Sequence, residues 1–331
     1  MTTSAKPHAI EVNNLVVSNG DVTAVRGVSF TIPQGGRMGL VGESGCGKSM
    51  TALALMGLLP MGWNTHGNIL HDGVDLVTQS DKALSSRRGR TLSMVFQDPL
   101  SSLNPVRRVG DQISSVIRRH TGADRKVAEA QTIELIKQMN LPRPEQLVRA
   151  YPHEISGGQR QRIMIAMALA CYPQLIIADE PTTALDVTVQ KQVLRLLNGA
   201  VRDRGSALLM ITHDLPIIAA MCDTVAVMYA GRIVEIGPVQ EVFRNPRHHY
   251  TRGLLDSQPT MDNIALDGSS RLVSIPGMVP PLHSLPTGCA FNPRCPAATD
   301  KCRETMPELG SNGVSAACWH PIQTAGEVAA Q

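Results

Sequence analysis

Short apolar runs and periodic apolar stripes take turns along the chain. Val28-Ser29-Phe30-Thr31-Ile32 alternates with period two, the mark of a half-buried strand, and Pro33-Gln34-Gly35-Gly36 closes it. Arg37-Met38-Gly39-Leu40-Val41 reads as a buried strand; a glycine-rich turn and an apolar helix from Ser49 to Leu58 follow. Residues 60–95 are turn-rich and strand-prone, whereas residues 104–150 place Ile133, Leu135, Ile136 and Met139 at helical spacing between charged positions. From 151 to 230 the pattern alternates: a helix after Ser156, a strand Leu175 to Ala178, a helix Val187 to Val201, a strand Ala207 to Ile211. Such alternation predicts an α/β fold, a mostly parallel sheet covered by helices. After Gly237 the composition turns to Pro, Gly, Ser and Cys. Residues 1–240 are therefore expected to form the main domain and 241–331 a small cysteine-containing extension.

Composition narrows the chemistry. Aromatic residues are only 3% of the 331, so the core must rest on Leu, Ile, Val, Met and Ala. A formal charge of +3 is too slight for a phosphate-backbone footprint, and Arg87-Arg88-Gly89-Arg90 is the densest basic run, so no nucleic-acid partner is expected. Met1 to His8 lacks an apolar signal core, and no stretch reaches the roughly 20 apolar residues of a bilayer span. A soluble protein is expected, with any membrane role exercised through partners. Of seven cysteines, Cys289, Cys295, Cys302 and Cys318 crowd the carboxyl end, a distribution that favours a metal site over disulfides.

Three segments carry candidate chemistry. Gly42-Glu43-Ser44-Gly45-Cys46-Gly47-Lys48-Ser49 has the spacing of a phosphate-binding loop. Its glycines let backbone N–H groups turn toward phosphate oxygens, and the following helix adds the positive end of its dipole. Lys48 supplies a point charge to the β and γ phosphates, and Ser49 offers its hydroxyl to magnesium. Leu175 to Glu180 is an apolar strand ending in two carboxylates. Asp179 is placed to hold Mg2+ and Glu180 to polarise the attacking water. Between them, Ser156-Gly157-Gly158-Gln159 opens a helix whose free N–H groups suit an anion.

Taken with Gln97, with Ala184-Leu185-Asp186 and with His213 after Leu208-Leu209-Met210-Ile211-Thr212, these segments resemble an ATP-binding cassette (ABC) ATPase from about residue 10 to 237. The resemblance implies a P-loop NTPase with a RecA-like core, an antiparallel β subdomain and a helical subdomain at about 100–160. It also implies two such domains meeting head to tail, ATP held by residues 42–50 and Asp179 of one and closed off by Ser156 to Gln159 of the other. Glu180 and His213 then act at the γ phosphate. Gln97, a further magnesium contact, would sense closure and pass it to membrane subunits. Two positions depart from the family: Met50 stands where Thr is common, and Val16 to Asp21 lacks the aromatic residue that stacks on adenine.

Gln97-Asp98-Pro99-Leu100-Ser101-Ser102-Leu103-Asn104-Pro105, Tyr151-Pro152-His153-Glu154, Asn245 to Thr251 and Ile275-Pro276-Gly277 resemble the oligopeptide and dipeptide importer branch, with His249 at a common proline position. That branch implies a cofactor set of ATP and Mg2+. Its partners would be a second, related ATPase in a heterodimer, two transmembrane permease subunits and an extracytoplasmic solute-binding protein. Its place would be peripheral, on the cytoplasmic face of the inner membrane. Importers of nickel complexes and glycosides share the branch, and a non-transport ATP-gated clamp is the reading from another class. The cysteines follow C-x5-C-x6-C-x15-C, without the paired short knuckles usual for zinc. A 4Fe-4S cluster is the expectation, with zinc and free thiols as the alternatives.

Overall fold

The computed structural model describes residues 8–182, 185–258, 274–310 and 314–323. Strands β1 (His8–Asn19) and β2 (Val22–Pro33) form a hairpin in which Ile10, Val12, Leu15 and Val17 face inward beside Val25, Val28, Phe30 and Ile32. Period-two patterning thus yields one buried face and one wet face. Next come β3 (Arg37–Val41), α1 (Lys48–Met56), β4 (Asn64–His71), β5 (Val74–Asp75), α2 (Asp81–Arg87) and β6 (Leu92–Val95). A helical segment follows: α3 (Pro99–Ser102), α4 (Val109–Thr121), α5 (Arg125–Gln138) and α6 (Pro144–Leu147). The remaining elements are α7 (Gly157–Leu169), β7 (Leu175–Asp179), α8 (Val187–Arg204), β8 (Ala207–Ile211), α9 (Leu215–Met221), β9 (Thr224–Tyr229), β10 (Arg232–Pro238), α10 (Val239–Arg244), α11 (His249–Asp256), α12 (Asp300–Glu304) and β11 (Ser315–Ala316).

Two sheets result. The smaller is antiparallel, in the order β2-β1-β4-β5; the larger runs β11-β10-β9-β3-β8-β7-β6, with β9, β3, β8, β7 and β6 parallel. In β7 and β8 alternate side chains enter different cores: Ile176, Ala178, Leu208 and Met210 join the core of the helical side, and Leu175, Ile177, Leu209 and Ile211 the one shared with the antiparallel sheet. Both faces are covered, so these strands read as unbroken apolar runs rather than as alternations. No helix among the described residues is long and apolar enough to cross a membrane.

The strand-prone reading of 60–95 missed α2. Ser80 caps that helix, its hydroxyl accepting the Ala83 amide at 3.3 Å, but the helix has seven residues and only Leu84 is buried, too little for a periodic signal. The carboxyl-terminal residues dock on the main sheet. β11 pairs antiparallel with β10 at Glu235 and Ile236, and Phe291 is buried against Tyr229 and Tyr250 with ring centroids 5.3 and 5.4 Å away.

Candidate active site

Parallel pairing in register brings the carboxyl ends of β3, β6, β7 and β8 to one edge of the sheet, where the loops of open α/β sheets bind ligands. From β3 the chain enters residues 42–49 and turns directly into α1. Gly42 has φ +153°, and a Cβ there would strike the Met228 carbonyl; Gly47 has φ +105°, and its Cβ would strike the Ala24 carbonyl. Only glycine fits both places. Gly47 caps α1 without any side-chain hydrogen bond, so the first-turn N–H groups remain available to an anion. Lys48 is buried, its Nζ donating to the carbonyls of Gly42 at 2.7 Å and Glu43 at 3.0 Å, with the Cys46 thiol at 3.7 Å. Burial pushes that thiol's pKa up, against the opposing pull of Lys48. Ser44, Gly45 and Ser49 are exposed, and Met50 is half-buried.

Asp179 closes β7 and is 4% exposed. Burial pushes its pKa above the ordinary carboxylate range, and the charge of Glu180 adds to that, while a Ser49 hydrogen bond and Lys48 pull it down. Its Oδ1 is buried without a hydrogen-bond partner. A buried carboxylate with an unused oxygen, next to the hydroxyl of Ser49, suits a hard cation such as magnesium.

Glu180 follows with φ +46°, a backbone setting that a non-glycine residue adopts at a cost and that concentrates at working sites. Its amide donates to the Ile211 carbonyl at 2.9 Å, which pins it to β8. The carboxylate is clasped from both sides. Gln97 Nε2, just beyond β6, donates to Oε2 at 3.1 Å, and His213 Nδ1, just beyond β8, lies 3.3 Å from Oε1. Three residues spread over more than a hundred positions of sequence therefore meet at one carboxylate.

Ser156 and Gln159 form a reciprocal capping box at the start of α7: Ser156 Oγ accepts the Gln159 amide at 3.3 Å, and Gln159 Oε1 accepts the Ser156 amide at 2.9 Å. Gly157 is exposed, and a Cβ there would meet nothing closer than Arg160 at 3.9 Å. Among the described residues no hydrogen bond or ion pair ties Ser156–Gln159 to residues 42–49, Asp179 or His213. Asp186 caps α8, its Oδ1 accepting the Thr188 and Val189 amides at 3.0 Å each. Ala184, expected in the same loop, lies outside the described residues. The Val16–Asp21 segment is the hairpin corner joining β1 to β2 and presents no ring.

At the carboxyl end, Cys289, Cys295, Cys302 and Cys318 line one small cavity with His248, Phe291 and Trp319. All four are free thiols. Burial pushes up the pKa of Cys289, Cys295 and Cys318, and the negative charge of neighbouring thiolates adds to each; Cys318 reaches about 11. Among the described residues no group of three or more His, Cys, Asp or Glu is set to hold a metal ion, so the expected metal site has no preformed donor set in this arrangement.

Residues 25–183 match the ABC transporter family, and residues 234–302 match the carboxyl-terminal region of oligopeptide/dipeptide transporters. The chain is 45% identical to the oligopeptide transport ATP-binding protein OppD of Haemophilus influenzae over 94% of its own length and 96% of that protein. The chain belongs to the ABC transporter family. More narrowly, it is a member of the oligopeptide/dipeptide ATP-binding proteins and an ATPase. The cassette is also 49% identical to the probable D,D-dipeptide transport ATP-binding protein DdpD of Escherichia coli, over 92% of this chain and 93% of that one. Among solved structures, cbiO1 from Clostridium perfringens superposes with a TM-score of 0.61 at 27% identity, covering 72% of this chain and 92% of that chain. The ATP-binding cassette MJ0796, solved as a dimer bound to ADP and Pi, gives 0.63 at 24% identity over 70% of this chain and 98% of its own, a likeness of fold.

Two participants escaped the sequence reading: Tyr250, whose hydroxyl accepts the Glu43 amide at 2.8 Å, and Arg294, whose guanidinium grips the Glu43 carboxylate. Glu43 and Arg294 stand 251 positions apart, and no local pattern joins them.

Proposed function

We propose that this cassette powers uptake of oligopeptides or dipeptides, as the ATP-hydrolysing subunit of an importer at the cytoplasmic face of the inner membrane. One observation carries the mechanism: the Glu180 carboxylate is held between Gln97 and His213 beside a glycine loop that ends on an uncapped helix start. The N–H groups at that start and Lys48 bind the phosphates of ATP. Glu180 orients water for in-line attack on the γ phosphorus and accepts its proton, and His213 steadies the carboxylate and the departing phosphoryl oxygens. Ser49, Asp179 and Gln97 would hold magnesium, which would neutralise phosphate charge.

Ser156 to Gln159 offers a second helix start, at which Ser156 and Gly157 are exposed. It completes the site of a partner cassette, so ATP joins two cassettes; the dimeric form of the MJ0796 cassette supports this reading. The partner is a second, related ATPase, and the assembly includes two permease subunits and an external solute-binding protein. Residues 1–240 act as the nucleotide-binding domain, and residues 241–331 as its extension. The peptide substrate rests on the relatives' names and on the match over 234–302. In the copurified transporter, peptide-loaded binding protein is expected to stimulate ATP turnover several-fold. Stimulation by nickel complexes or glycosides but not by peptides would overturn the substrate class.

We infer further that Cys289, Cys295, Cys302 and Cys318, which line one cavity, are the ligands of a 4Fe-4S cluster. Convergence of all four thiols on one cavity supports this reading, since four thiolates ligate such a cluster, and the donors would have to draw together to bind it. Protein purified without oxygen is expected to be brown, with broad absorbance near about 400 nm and about four irons per chain. Colourless, iron-free protein, with zinc or with nothing, would remove the cluster.

A further inference from the structure

Glu43, the first variable position of the phosphate-binding loop, is held by all three of its polar groups. Its amide donates to the Tyr250 hydroxyl at 2.8 Å, its carbonyl accepts Lys48 Nζ at 3.0 Å, and its carboxylate receives Arg294. The last contact is bidentate, with Nη1 donating to Oε2 at 2.7 Å and Nη2 to Oε1 at 3.0 Å. Arg294 has a buried side chain, and each of its N–H groups has an acceptor: Nε reaches the Pro276 carbonyl at 2.9 Å, Nη1 also reaches the Tyr229 hydroxyl at 3.4 Å, and Nη2 the Ile275 carbonyl at 3.4 Å. Fork-shaped pairing of this kind fixes direction as well as distance. The Tyr229 and Phe291 rings cover the Arg294 guanidinium, each centroid 5.9 Å from its Cζ, while the Glu43 side chain remains 28% exposed.

Arg294 sits on the short turn between Cys289 and Cys295, two of the thiols that line the cysteine cavity. A continuous set of contacts therefore runs from that turn through Arg294 and Glu43 to Lys48. A surface ion pair would be worth little, but this one lies under the loop that must present its amides and its lysine to phosphate. We propose that Arg294 is a positioning residue for the nucleotide site: by clamping Glu43 it holds the phosphate-binding loop and Lys48 in their binding geometry, so that nucleotide affinity depends on how the carboxyl-terminal extension is seated. By linkage, whatever orders the 289–295 turn tightens nucleotide binding, and bound nucleotide orders that turn in return.

This inference rests on residues 42–49 being the phosphate site, and the test separates the two. In the assembled transporter, Arg294→Met and Glu43→Gln are each expected to raise the KM for ATP about tenfold, the loss expected for a charge-assisted hydrogen-bonded pair, with kcat changed less than about threefold. Arg294→Lys should recover part of the loss, because it keeps charge without the fork. The double variant should be no worse than either single one. A role in folding alone would instead lower the active fraction, and with it kcat, at unchanged KM. Unchanged KM in both single variants, or additive losses, would overturn the clamp while Lys48→Ala still lost nucleotide. If Lys48→Ala bound nucleotide normally, the phosphate site and the clamp would fall together.

Discussion

Glu180→Gln is expected to cut ATP turnover by about 10²–10⁴-fold, the usual worth of a positioned general base, while ATP binding persists. Gln is nearly isosteric and keeps the acceptor that faces Gln97, but it neither takes a proton nor attracts the His213 ring as a carboxylate does. The phosphate loop is left untouched, with Lys48 Nζ still against Gly42, Glu43 and Cys46. Two cassettes should therefore stay joined around unhydrolysed ATP. Phosphate release in single-turnover assays and the ATP-dependent dimer in size-exclusion chromatography report the two halves of the expectation. Turnover within threefold of the parent would take Glu180 out of the mechanism.

Lys48→Ala acts one step earlier. A buried ammonium that changes its acceptors from loop carbonyls to phosphate oxygens is a desolvated, hydrogen-bonded charge, and truncating one such partner costs about 2–5 kcal/mol. In affinity that is roughly 30- to 4,000-fold for MgATP. Titration with a fluorescent nucleotide checks the loss, and an unfolding curve beside it checks that the loop has not carried the fold with it. Since Lys48 also holds the carbonyls of Gly42 and Glu43, a small fall in the unfolding midpoint belongs to the same prediction. The two variants separate capture of the triphosphate from its cleavage.

The sequence is most legible where few residues define a geometry. Gly42 and Gly47 stand where a Cβ would meet backbone carbonyls, and the loop they shape, residues 42–49, runs straight into the first turn of α1. The Ser156–Gln159 capping box needs four residues and is visible as a motif. Parallel strands covered on both faces become unbroken apolar runs, so Leu175 to Ala178 and Ala207 to Ile211 are read correctly from hydrophobicity. Helix α2 is the contrary case: a good cap at Ser80, but one buried side chain and no periodicity.

Contacts between distant segments lie beyond such reading. Gln97 and His213 each resemble family positions, yet their common grip on Glu180 follows from the registers β6–β7 and β7–β8, which set three strand ends side by side. Arg294 offers still less warning. Its partner Glu43 comes within reach where the carboxyl-terminal residues dock on the sheet, with β11 at its edge and Phe291 against Tyr229 and Tyr250. A glycine loop, a capped helix and an apolar strand are written in neighbouring residues, because backbone sterics and hydrogen bonding act over a few positions. Which side chains meet across 251 positions depends on how whole layers pack, and no stretch of the chain contains that information alone.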